Sequence, residues 1–317
     1  MYMKCSDYVN QACELKKQGN FNKAIKILEK GLKIYNRNIF IINGLIELYG
    51  SFRFDQAKGL FNKAVNMGVA DTISYSLMIK HYIKENDLFN VRYLYGKSEM
   101  FNKSDNFIRA DVLNFYLKNN YFIEAKQLYN ELNKKNKADI VVHNIWLHHL
   151  YREKRYLEGL DIIDSIPKEK RDFILTITEI EINRKLKNYD YSLDLISNLF
   201  MKEKFDEEKE IQLRTIRGYC LKEKGELEKA GTIFRNIFQK INEENPNYIR
   251  VLCGMIFCHN VKENEVEMFS NILMKAQREN KGNEYDVSEA LDLLDTKIYK
   301  KMDSRKIKIK RNNKLFN

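Results

Sequence analysis

The chain has 317 residues, a formal net charge of +11 from 55 Lys and Arg against 44 Asp and Glu, and only two prolines and thirteen glycines. Its length exceeds the usual single domain, so it implies two cores or one elongated repeat array, and the scarcity of Pro and Gly beside abundant Lys, Glu, Leu and Ile excludes sheet-rich and collagen-like classes in favour of nearly all helix. The longest uncharged runs, such as Ile140 to Tyr151, fall well short of the roughly 20 residues a membrane-spanning helix needs.

The first stretch, "MYMKCSDYVNQACELKKQGN", is broken by Lys4, Asp7 and Glu14 and has no apolar signal core. Five cysteines (Cys5, Cys13, Cys220, Cys253, Cys258) with no secretory leader give a reducing cytoplasm as the expected location. From "GNFNKAIKIL" onward one pattern recurs: "FRFDQAKGLF", "NDLFNVRYLY", "NNYFIEAKQLY", "KRYLEGLDII", "KNYDYSLDLI" and "GELEKAGTIF". Its small residue falls at Ala24, Ala57, Val91, Ala125, Gly159, Ser192 and Ala230, at intervals of 33, 34, 34, 34, 33 and 38. A further unit is centred on Val266.

Each period has room for two helices of about a dozen residues and two short turns. In "SYSLMIKHYI" the residues Tyr75, Met78, Ile79 and Tyr82 share a face, and Leu88, Val91, Leu94 and Tyr95 share one in the helix that follows. The small residue has a steric reason, because antiparallel helices approach closely only where one side chain at the crossing is small. In "GYCLKEKGELEKAGTIF", Gly218 and Ala230 are read as such contacts and Gly225 as the turn between them. The stretch Phe200 to Arg214 lengthens its interval and predicts a longer turn or helix.

The aromatic or leucine (Phe21, Phe54, Leu88, Phe122, Tyr156, Tyr189, Leu227), the small residue three later and the bulky residue four after that resemble the tetratricopeptide repeat family. The resemblance covers roughly residues 5–275 and implies an all-α, right-handed superhelical solenoid of antiparallel helix hairpins, about eight repeats plus a C-terminal capping helix. Departures are Val91 and Ser192 in place of alanine and closing prolines only at Pro167 and Pro246. Several units, such as "TISYSLMIKHYIKENDLFNV", are also similar to pentatricopeptide repeats, which implies single-stranded RNA as an alternative ligand. The array is expected over 1–281, the cap over 282–302 and a basic, disordered tail over 303–317. From Lys297 to the end, nine Lys or Arg stand against Asp303, so this end carries +8 of the +11.

In such an array first helices line the concave face. Spacing places there Ser76 and Lys80, Ala110 and Asn114, Asn144 and His148, Ile177 and Glu181, Thr215 and Tyr219, and Val251 and Met255; of these Ser76, Lys80, Asn114, Asn144, His148, Thr215 and Tyr219 are the candidate partner contacts. The first units offer Val9, Cys13, Ile42 and Ile46, without the Lys and Asn clamp that carboxylate-gripping relatives present. For RNA, the pentatricopeptide resemblance makes Ser76, Ala110 and Asn144 base readers with Asp105 and Asp139 as partners. Lys84, Lys118, Arg152 and Lys185, spaced 34, 34 and 33, are a candidate anion-binding edge, or simply complements of helix dipoles.

No catalytic constellation is found. "YGKSEM" lacks the phosphate loop's first glycine, where Val91 stands. His81, His143, His148, His149 and His259 lack metal-site spacing, Cys253 and Cys258 point to different helix faces, and Cys220 and Trp146 read as core. The expectation is therefore a cytoplasmic, non-enzymatic scaffold or adaptor with no cofactor, holding a protein or peptide segment in its concave groove. The alternatives are RNA binding through a basic edge and tail, and a peptide-sensing regulator.

Overall fold

A computed structural model describes residues 3–202, 204–284 and 286–295. Among them there is no strand, and sixteen α-helices, paired within each unit as antiparallel hairpins, precede a last helical stretch. The hairpins are α1 (Cys5–Lys17) with α2 (Phe21–Ile34), α3 (Ile39–Phe52) with α4 (Phe54–Asn66), α5 (Thr72–Lys84) with α6 (Leu88–Met100), and α7 (Asn106–Lys118) with α8 (Phe122–Lys134). Then come α9 (Ile140–Arg152) and α10 (Tyr156–Ser165), and the pairs continue as α11 (Phe173–Lys185) with α12 (Tyr189–Lys202), α13 (Glu207–Lys224) with α14 (Leu227–Phe238), and α15 (Tyr248–Phe257) with α16 (Val266–Arg278). The chain divides into two compact units, Met1–His149 and Leu150–Asn317, a division that falls inside α9 and that the repeat spacing does not announce.

Local chemistry starts the first helices in register. Asn38, Asp71, Asp105, Asp139, Asp172 and Asp206 each precede a first helix, and each side chain accepts a hydrogen bond from the backbone N–H three residues on, at 2.8–3.2 Å. Each cap satisfies a donor that the helix leaves orphaned, and losing one costs about 1 kcal/mol. This overturns the reading of Asp105 and Asp139 as base-reading partners: their carboxylates are turned onto the N–H groups of Ile108 and Val142. Most turns between the two helices of a repeat use a left-handed residue, Gly19, Asn86, Asn120, Lys154, Lys187, Gly225 or His259, whereas α3 and α4 are joined through Arg53 at φ −147°.

Packing follows the small residues. Ala24, Ala57, Val91, Ala125, Gly159, Ser192 and Ala230 are all buried. The aromatic that opens a second helix reaches onward: Phe21 packs on Phe52, Phe54 on Tyr82 and Phe122 on His149, each on the first helix of the next hairpin. In the second unit Phe234 is wedged between two glycines. A Cβ on Gly218 or on Gly254 would lie 2.6 Å from its ring. The 38-residue interval is taken up by α13, which has 18 residues where α11 has 13. Residues 286–295 are helical, and Val287, Ala290 and Leu294 join the core around Phe269 and Leu273. The tail expected over 303–317 and the end of the expected cap lie outside the described residues.

Candidate binding groove

In the first unit, α3, α5 and α7 enclose a groove of ≈ 660 Å³. It gathers four sequence candidates that come from two different lists: Lys80 and Asn114 of the presumed concave face, and Lys84 and Lys118 of the basic edge. Lys84 and Lys118 are the last residues of α5 and α7, where a cation complements the helix dipole. Among the described residues neither has an ion-pair partner within 4 Å. Lys80, by contrast, lies 3.6 Å from Asp111, and Glu47 on the opposite wall is held 2.5 Å from Lys16. Fixed carboxylates, an amide and two uncommitted ammonium groups therefore share one concavity.

The floor contains a residue the sequence reading left as structural. His81 is only 5% exposed, and its Nε2 lies 3.2 Å from the Ile46 carbonyl oxygen, which it reaches because Gly50 has no side chain. A Cβ on Gly50 would sit 1.7 Å from Nε2. Burial lowers the His81 pKa below its ordinary value of 6.5, outweighing the hydrogen bond to Ile46, so the ring is neutral at physiological pH. With Nε2–H donating, Nδ1 is a buried acceptor without a hydrogen-bond partner. Lys80 beside it in sequence was legible as a groove residue; His81 carries no periodic signal that separates it from core.

The remaining candidates are dispersed. Ser76 and Asn144 are half-buried, and His148, Arg152 and Lys185 are exposed, the last two at the ends of α9 and α11. Thr215 and Tyr219 are a correction. Thr215 is fully buried and donates to the Ile211 carbonyl; Tyr219, 3% exposed, packs its ring against Phe234 and donates to the Arg250 carbonyl. The same holds for Ile42, Ile46, Val251 and Met255, none of which has exposed surface to offer. A stripe of large apolar residues went unread instead: Phe40, Ile73, Phe107 and Val141, the second residues of α3, α5, α7 and α9, are 45–74% exposed.

In the second unit the equivalent positions are closed by an ionic cluster. Arg184 donates through Nε to Glu181 at 2.8 Å and also pairs with Glu223, while Arg250 reaches Glu181 from α15. Burial alone would raise the Glu181 carboxyl, but Arg250 and Arg184 outweigh it and hold the group well below the usual carboxylate range. The guanidiniums of Arg184 and Arg250 lie 5.6 and 5.0 Å from the Tyr219 ring centroid.

Three of the cysteines, Cys220, Cys253 and Cys258, are buried, and burial pushes their thiols up to about 12, about 12 and about 11. Such thiols are not nucleophiles at neutral pH. Trp146 stacks on Tyr129 inside the first unit, at 5.0 Å between centroids. Among the described residues no group of three His, Cys, Asp or Glu is placed to hold a metal ion, and no helix is long and apolar enough to cross a membrane.

No protein-family model matches the chain, and no curated protein matches it by sequence. Solved structures do. The Cut9–Hcn1 hetero-tetramer of the APC/C aligns over 90% of this chain and 55% of its own, at 11% identity and a TM-score of 0.51. A tetratricopeptide repeat protein from Parabacteroides merdae aligns over 92% and 98%, at 14% identity and 0.48. The pentatricopeptide repeat protein PPR10, in complex with an 18-nucleotide psaJ RNA element, aligns over 96% of this chain at 13% identity and 0.48, and this chain spans only 44% of its length. At such identities the likeness is one of fold. The chain folds as successive antiparallel helix hairpins, like those of the Cut9–Hcn1 structure.

Proposed function

We propose that the protein is a non-enzymatic binding module that takes a peptide or an extended protein segment in the groove of its first unit. The carrying observation is the convergence of Lys80, Lys84, Asn114 and Lys118 on one concavity, with two of the lysines uncommitted. Asn114 offers both donor and acceptor to a peptide backbone, and Lys84 and Lys118 offer cations to an acidic side chain or terminus. Ser76, Asn144 and His148 are proposed as flanking contacts. In this reading the array spans 1–281, 282–302 caps it and 303–317 is a basic tail, in a cytoplasmic protein.

RNA is the second reading, supported by Lys84 and Lys118. Glu47 and Asp111 on the same walls argue against it, because they repel a phosphodiester backbone. Binding of an acidic peptide of about 12 residues and of an oligouridylate of about 12 nucleotides, each to the full chain and to Lys84→Ala/Lys118→Ala, separates the two. The peptide reading expects peptide affinity that falls about tenfold in the variant. Binding of the oligouridylate alone, lost steeply with salt, would replace it.

A further inference from the structure

The helix α6 is apolar on two opposite faces. Val91, Leu94 and Ser98 point into the unit and are buried. On the other side Phe89, Tyr93 and Met100 are 75, 49 and 65% exposed, and with Gly96 they form a row at spacings of four, three and four, one stripe down the helix. At the same register α4 carries Asp55, Gly59, Asn62 and Asn66, and α8 carries Ile123, Gln127, Asn130 and Lys134, so the row is a property of α6 and not of the repeat. The Phe89 and Tyr93 rings lie parallel, 3° apart at 6.4 Å, and nothing stands within 4 Å of where a Gly96 side chain would be. Arg92 flanks the row on one side and Lys97 on the other, neither with an ion-pair partner among the described residues, Lys97 lying 4.6 Å from the Tyr93 ring.

We propose that this face of α6 docks an amphipathic helix of another protein, whose apolar row is bracketed by carboxylates on both sides. Phe89, Arg92, Tyr93 and Gly96 stand at i, i+3, i+4 and i+7, as do Tyr93, Gly96, Lys97 and Met100. These are two consecutive holes for a partner's knobs, deepened by the glycine they share. Charge selects the partner. A second copy of α6 would bring Arg92 and Lys97 against cations, whereas acids on both flanks of an incoming helix answer both. The surface is separate from the groove, which α3, α5 and α7 build.

The test uses the full chain and a labelled helical peptide of about 21 residues, three heptads with a leucine row flanked by Glu, beside a counterpart with Lys for each Glu. Fluorescence anisotropy is expected to show binding of the Glu peptide and at least about tenfold weaker binding of the Lys peptide. Phe89→Ser/Tyr93→Ser and, separately, Gly96→Leu are each expected to weaken the Glu peptide at least about tenfold, with helicity retained and Tm not lowered, because all three sites are open and leucine favours helix over glycine. Gly96→Leu is decisive, since it fills the holes while making the face more apolar. No binding, equal binding of the two peptides, or undiminished binding to Gly96→Leu overturns the proposal. So does self-association, or flotation with phosphatidylserine vesicles, that Phe89→Ser/Tyr93→Ser abolishes.

Discussion

At two registers of the repeat, four residues apart, the first unit carries Lys80, Lys84, Asn114 and Lys118, and the second carries Glu181, Lys185, Tyr219 and Glu223. The first set lines an open groove with two uncommitted cations; most of the second is spent internally, Glu181 on Arg184 and Arg250, Glu223 on Arg184, and Tyr219 against both guanidiniums. Repeat position therefore does not determine whether a surface is offered to a partner. What decides it is whether the neighbouring repeats supply the opposite charge. Glu223 makes the point most directly, since it stands where Lys84 and Lys118 stand and has the opposite sign.

The largest effect that breaks this contrast is expected from Glu181→Ala. It leaves the buried Arg184 with Glu223 alone and the half-buried Arg250 without its carboxylate, and urea unfolding should show a loss of about 3 kcal/mol. Lys80→Ala, which breaks the exposed pair with Asp111 at the matching position, should cost less than about 1 kcal/mol in the same assay. Comparable losses would erase the distinction between a closed and an open face. Next, Gly50→Ala drives a Cβ into the His81 ring and should cost about 1–3 kcal/mol; Gly254→Ala, against Phe234, should cost a similar amount in the second unit.

Acid should then sharpen the difference. Burial lowers the pKa of both His81 and His143 below 6.5, so the unfolded chain binds more protons than the folded one between 6.5 and the lower folded values. Their contribution is complete above pH 6.5 and is lost as pH falls through that window. Both histidines belong to the first unit, while His259 in the second is exposed. Hydrogen exchange between pH 7 and 5 should therefore show the first unit losing protection before the second, and His81→Gln should reduce the difference. The smallest effect is expected at Lys84 and Lys118, where alanine should change stability by no more than about 0.5 kcal/mol. A larger loss would mean that these lysines hold the unit together and are not free for a ligand.

The repeat was legible because its determinants are local or fixed in spacing. Ala24, Ala57, Ala125 and Ala230 announce the hairpins, and Gly19 and Gly225 announce two of the turns, since each residue type has its own steric reason to be where it is. The turns at Lys154 and Lys187 were not legible, because lysine has no left-handed preference and the surrounding helices impose the conformation. Asp105 and Asp139 were visible as a periodic pair but assigned to the wrong task; the period belonged to helix capping. A third of the groove's lining was found, since Lys80, Asn114, Lys84 and Lys118 follow from period alone. His81, Glu47 and Asp111 were missed, because their roles depend on neighbours in other hairpins. Thr215 and Tyr219 were misread as surface because α13 is longer than the other first helices and its next neighbour, α15, covers it.

The sequence by itself determined the period and the helices that keep it, which are set by steric and capping preferences within one or two turns of chain. The tertiary structure alone decided which face stays open. Glu181 meets Arg250 across 69 residues and His81 meets Ile46 across 35, and the sign of a charge in sequence gives no information about which opposite charge will be folded against it.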